Sequence, residues 1–170
     1  MDMYLDLAKI FIPIIITAPL SYWFGVRKTR KEFLDKNKFH RYKTAYVPYI
    51  ETLYKGFSFN GFIVDNWSYH LRTLYFDLIN KNLSLWGENT ISVYEDFYKA
   101  YLDMLEYDDG NITEYLNAPK NFEICLTKIS LHILEEAKEI SDSLGLPPLA
   151  KPLIANYRLV LKKQGQAKFQ

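Results

Sequence analysis

KIFIPIIITAPLSYWFGVRKTRK, Lys9 to Lys31, starts apolar and ends cationic. The twenty residues from Leu7 to Val26 hold one charge, Lys9, near their outer end. At about 1.5 Å per residue, a helix of that length spans roughly 30 Å, the thickness of a hydrocarbon core. Pro13 and Pro19 would each weaken a helix in water by about 3 kcal/mol. In a bilayer, proline is better tolerated because neighbouring groups satisfy the freed carbonyls. Tyr22 and Trp23 close the run, where amphipathic rings favour the membrane interface. Arg27, Lys28, Arg30 and Lys31 follow at once, and the pattern assigns them to the membrane surface. The stretch therefore reads as a single-pass transmembrane helix.

Two other readings fit less well. A secretion signal carries its positive charge before the apolar region, whereas the leader MDMYLD is acidic and the cations come after. A buried amphipathic helix needs a polar face, and Ile10–Ile16 offers none. The positive-inside tendency then puts the N-terminus outside and the remainder in the cytoplasm of a cell membrane.

The charge pattern is consistent with that layout. Eight Lys/Arg and two Asp/Glu lie between Arg27 and Lys43, whereas twelve Lys/Arg and sixteen Asp/Glu follow from Thr44 onward. The basic character is local, so the body carries no nucleic-acid signature. The single cysteine, Cys125, cannot staple its own chain, which favours a reducing compartment. Seven glycines and seven prolines, with long segments between them, favour helices over a strand-rich sandwich.

The expected fold is all-α: the anchor (1–26), a basic juxtamembrane helix (27–43), a helical bundle of about four to five helices (44–163) and a frayed tail (164–170). Tyr42, Tyr46, Tyr49 and Leu53 recur at helical spacing and read as core. Pro48 fits the first turn of a helix or a kink. After a turn at Asn60-Gly61, Asp65 is the expected N-cap of a helix with Trp67, Leu71, Leu74, Tyr75 and Leu78 inward. A further helix follows Gly87, capped by Thr90, with Val93, Phe97, Tyr101, Met104 and Leu105 inward. The longest helix is expected from Asn121 to Ser143, with Leu126, Ile129, Ile133 and Ala137 in its apolar row. His132, Lys128 and Glu136 fall on its polar side, and Leu144–Pro152 reads as a rigid linker to a last helix.

The chemistry-bearing motifs are few. His40, His70 and His132 do not adopt a metal spacing, and no phosphate-cradling loop or nucleophile elbow occurs. Asp108-Asp109-Gly110-Asn111 reads as a turn rather than a calcium loop, since the closing Glu is missing. Carboxylates of the Glu88–Glu106 helix and Glu135, Glu136 and Glu139 read as a solvated acidic face. Cys125 reads as a small hydrophobe. No cofactor, metal or catalytic set is implied.

The layout of Leu7–Lys31 resembles that of many short bacterial and prophage membrane proteins, a likeness of architecture that transfers no site. The expected function is a non-enzymatic, membrane-tethered interaction module, with membrane lipid and a protein partner or a second copy as its partners. Host defence or superinfection control is a setting suggested by analogy. One alternative is a membrane-bound enzyme using Asp65, His70 and Arg72. Another is an oligomeric pore lined by Pro13, Thr17 and Ser21.

Overall fold

A computed structural model describes the backbone of residues 2–56 and 68–166, and the side chains of residues 22–55, 68–159 and 161–162. Among the described residues the chain is all-α, without a strand. Helix α1 runs Asp2–Arg41 and continues through one π-helical turn, Tyr42–Tyr46, into α2 (Val47–Gly56). Then come α3 (Tyr69–Lys81), a 3-10 turn at Leu83–Leu85, α4 (Glu88–Ser92), α5 (Tyr94–Asp108), α6 (Ala118–Leu144) and α7 (Lys151–Gln166). Two compact units result, Met1–Lys38 and Phe39–Gln170.

In the first unit, every described residue from Tyr22 to Leu34 is exposed. Among the described residues, no helix is long and apolar enough to cross a membrane. Most of the run Leu7–Val26, and with it Pro13, Thr17 and Ser21, lies outside the described side chains; so do Asp65, Trp67 and the Asn60-Gly61 turn.

In the second unit, α6 is the central helix, packed against α5, α7, α4 and the π turn. Its row Leu126, Ile129, Ile133 and Ala137 is fully buried. Gly145 ends it in the left-handed conformation, φ 66°, and the Leu146 N–H returns to the Ser141 carbonyl at 2.8 Å. That is a Schellman closure, in which glycine avoids a Cβ penalty. The tyrosine stripe is core as expected: Tyr42, Tyr46, Tyr49 and Leu53 are all buried. The Trp86 ring meets Tyr46 edge-on at 5.1 Å and its indole N–H donates to the Ile79 carbonyl at 2.8 Å. A second aromatic set stacks Phe76 on Tyr101 at 3.9 Å and Phe97 on Phe122 at 5.8 Å.

Three expectations are corrected. The described body has six α-helices rather than four to five, because the helix expected after Gly87 breaks at Val93, φ −109° and ψ 1°. The buried face of α3 is Arg72, Tyr75 and Ile79, and Leu74 is exposed. Burying Arg72 is feasible because its guanidinium reaches Asp108 on α5. The N-cap of α3 is Ser68, whose hydroxyl accepts from the Leu71 N–H at 3.3 Å. Pro48 sits in the first turn of α2, as expected, directly after the π turn. Lacking an N–H, it gives the Thr44 carbonyl no α-helical donor, while the Val47 N–H reaches back five residues to Tyr42.

The Arg72–Asp108 pair carries a stability prediction. The Arg72 side chain is 7% exposed and that of Asp108 is 25%. Asp108→Ala leaves a buried cation short of its acceptor and should lower unfolding stability by about 2 kcal/mol. Arg72→Met combined with Asp108→Leu should recover most of that loss, because the buried charge is gone. Urea unfolding of the three proteins, followed by circular dichroism, checks the order.

Candidate functional site

Two places concentrate polar or exposed functional groups. The first lies where α1 ends, at Arg41, the π turn, the start of α4 and the middle of α6. In an α-helix, residues five apart face different directions. A π turn, closed by i to i+5 bonds, brings them round to one side. Arg41 and Tyr46 are five apart, and the Arg41 Nη2 donates to the Tyr46 hydroxyl at 3.1 Å. The Arg41 Nε donates to the Leu85 carbonyl at 2.8 Å. The Tyr46 hydroxyl in turn donates to Glu136 Oε2 at 2.9 Å.

Glu136 is 7% exposed. Its Oε2 also accepts from the Gly87 N–H at 2.7 Å, and its Oε1 from the Thr90 N–H at 2.9 Å. Gly87 is the N-cap residue of α4, and Thr90 is its third helical residue. In a capping box these two N–H groups are taken by two local side chains. Here one carboxylate from α6 takes both. Thr90 is thus not the cap; its hydroxyl is buried without a hydrogen-bond partner. Burial, and then the adjacent Glu136 charge, hold the Tyr46 phenol neutral far above its ordinary range. A cleft of about 260 Å³ opens beside the cluster, bordered by Arg41, Glu136, Glu139 and Ile140.

The solvated-face reading is therefore overturned at Glu136. Its spacing from Lys128 and His132 points outward, whereas its partners lie 90 and about 50 residues upstream. The one local signal was Gly87, a helix start with no side-chain acceptor of its own.

The second place is the described part of α1. Tyr22 is 76% and Trp23 49% exposed, and Arg27, Lys28, Arg30 and Lys31 are all exposed. The Arg27 guanidinium lies 4.3 Å from the centroid of the Trp23 ring, a cation–π distance. Lys28 pairs with Glu32 at 4.0 Å. Tyr22, Gly25, Val26, Thr29 and Phe33, with Arg30, form one open and largely apolar side of α1.

The other candidates separate. His70 is exposed, Arg72 is buried against Asp108, and Asp65 lies outside the described residues. Cys125 is half-buried rather than buried, and its thiol is pushed up by burial and by Asp96. Such a thiol is a poor nucleophile, since the thiolate is the reactive form. The Asp108–Asn111 segment is a turn, with Gly110 at φ 104° and the Asn111 amide donating to Glu106. Among the described residues, no group of three His, Cys, Asp or Glu is placed to hold a metal ion. No protein-family model, curated protein or solved structure matches the chain.

Proposed function

We propose that the chain is a membrane-tethered helical module, without catalytic activity, whose body binds a protein partner or a second copy of itself. Leu7–Val26 would span the cell membrane once, with the N-terminus outside and the body cytoplasmic. The observation that carries the reading is the end of the apolar run. Tyr22 and Trp23 stand exposed there, and Arg27, Lys28, Arg30 and Lys31 follow, also exposed. Rings and cations in that order suit the boundary between lipid and water.

The body supports the non-catalytic part of the reading. Its strongest polar groups are engaged with one another, Glu136 with Tyr46, Gly87 and Thr90, and Arg72 with Asp108. Confinement to a membrane raises the effective concentration of such a body, so weak contacts suffice. Defence of a host cell, or control of superinfection by a mobile element, is a setting in which such a module would act.

Membrane fractionation tests the tether. The full chain should stay with the membrane through an alkaline carbonate wash. A chain lacking Met1–Val26 should enter the soluble fraction with its helical circular dichroism intact. Release of the full chain into the soluble fraction without detergent would defeat the proposal. Chemical cross-linking of the full chain in membranes should trap a defined protein adduct, and a body that remains monomeric and uncross-linked would defeat its interaction half.

A further inference from the structure

We propose that Tyr22–Leu34 of α1 is an interfacial segment that lies along an anionic phospholipid surface and takes lipid phosphates with Arg27, Arg30 and Lys31. The inference shares the membrane with the preceding reading but rests on Tyr22–Leu34 alone, and it places Tyr22–Val26 at the interface rather than within a span.

Residues three and four apart share a side of a helix. Tyr22, Val26, Thr29 and Phe33 are related by those steps and form one exposed side. Thr29 adds to its apolar character, because its hydroxyl is spent on the Gly25 carbonyl at 3.0 Å. Trp23, Arg27, Arg30 and Leu34 are related by the same steps and form the adjoining side, with Lys31 at its edge. Lys28, Glu32 and Asp35 fall opposite, where Lys28 is already paired with Glu32. Most exposed apolar groups, with Arg27 and Arg30, are therefore gathered on one half of the helix; both acids lie on the other, where Phe24, edge-on to Trp23 at 5.2 Å, and Lys31 stand at the border.

Such segregation fits a surface that is apolar below and negatively charged at its rim. An interfacial helix buries its apolar side at the headgroup boundary and directs cations to the phosphates. Arg30, between the two apolar rows, can lay its stem along them and raise its guanidinium to the headgroups. Arg27, held over the Trp23 ring, is placed at the same level. Nucleic acid offers phosphates too, but gives Val26, Phe33 and Leu34 nothing apolar to enter. The observations thus favour the bilayer.

The test uses the full chain, reconstituted into bilayers of phosphatidylcholine and phosphatidylglycerol in equal parts and re-extracted in mild detergent. The lipid retained on the protein is then measured. The wild type should retain phosphatidylglycerol several-fold over phosphatidylcholine. Arg27→Gln, Arg30→Gln and Lys31→Gln together should return the ratio to that of the bulk. In flotation at low salt, a chain released by carbonate should lose about a hundredfold in affinity for the mixed vesicles with the same three changes, from about 1 kcal/mol per cation. Lys99→Gln, at an exposed cation of α5, should leave the ratio unchanged. Equal retention of both lipids by the wild type, loss of selectivity in Lys99→Gln as large as in the triple variant, or co-purifying nucleic acid in place of lipid would each overturn the inference. Carbonate extraction of the same samples reads the span separately: selectivity without carbonate resistance removes the tether alone, and carbonate resistance without selectivity removes this inference alone.

Discussion

Glu136→Ala should lower unfolding stability by about 3–5 kcal/mol, the largest loss expected from a single polar residue among the described residues. Three donors lose their acceptor together: the Tyr46 hydroxyl and the N–H groups of Gly87 and Thr90. A buried donor left without a partner costs about 1–3 kcal/mol. Glu136→Gln should lie between, since an amide keeps one acceptor but turns an NH2 toward one of the donors. Gly87→Ala approaches the same carboxylate from the other side. A Cβ at residue 87 would lie 2.5 Å from the Glu136 Cδ and 2.6 Å from its Oε1. The φ there is an ordinary −81°, so the conflict is steric and not conformational. The carboxyl is the far end of a flexible side chain, but moving it breaks the bonds that hold it. Gly87→Ala should therefore lose about 2 kcal/mol, and little more once Glu136→Ala is present, because neighbours that share an interaction are not additive. Urea unfolding of the two single variants and the double variant measures the coupling. Full additivity would show that the carboxylate does not occupy the place of a Cβ.

Alkali should unfold the body in a steep step. Burial raises the phenols of Tyr46, Tyr49 and Tyr157 well above their usual range and pushes Tyr75 up to about 12. Tyr49 also shares a 2.6 Å hydrogen bond with Ser130. In the unfolded chain these phenols lose their protons near pH 10. The raised folded values mean that their contribution is fully present below about pH 10 and is lost as pH rises above it. Four phenols that ionise only on unfolding give a slope of roughly 5 kcal/mol per pH unit there. Phenolate absorbance from these rings should appear together with the loss of helical circular dichroism, and Tyr75→Phe should reduce the slope by about a quarter. Phenolate formation by all the tyrosines while the helices persist would contradict the burial.

What the sequence reveals of this fold follows from where the information lies. The stripe Tyr42, Tyr46, Tyr49 and Leu53 and the row Leu126 to Ala137 announce their burial through spacing, because a helix repeats its buried face every 3.6 residues. The break at Val93 has no such mark, since neither glycine nor proline stands there. Arg72 escapes hydropathy because its burial depends on Asp108, 36 residues away. Glu136 escapes for the same reason on a larger scale, and its polar neighbours Lys128 and His132 point the reader outward. Periodicity reports which way a helix faces. It does not report a charge whose partners belong to other helices.

The π turn leaves the chain with one residue more than a continuous helix from α1 to α2 would need. Removing a single residue from Tyr42–Tyr46 would permit an ordinary α-helix of nearly the same length, and Arg41 and Tyr46 would then be four apart. Residues four apart share a side of an α-helix, so the shortened chain would keep the tyrosine beside Arg41. The π turn thus absorbs one extra residue of chain while holding Arg41 and Tyr46 on the common side that an unbroken helix gives to residues four apart.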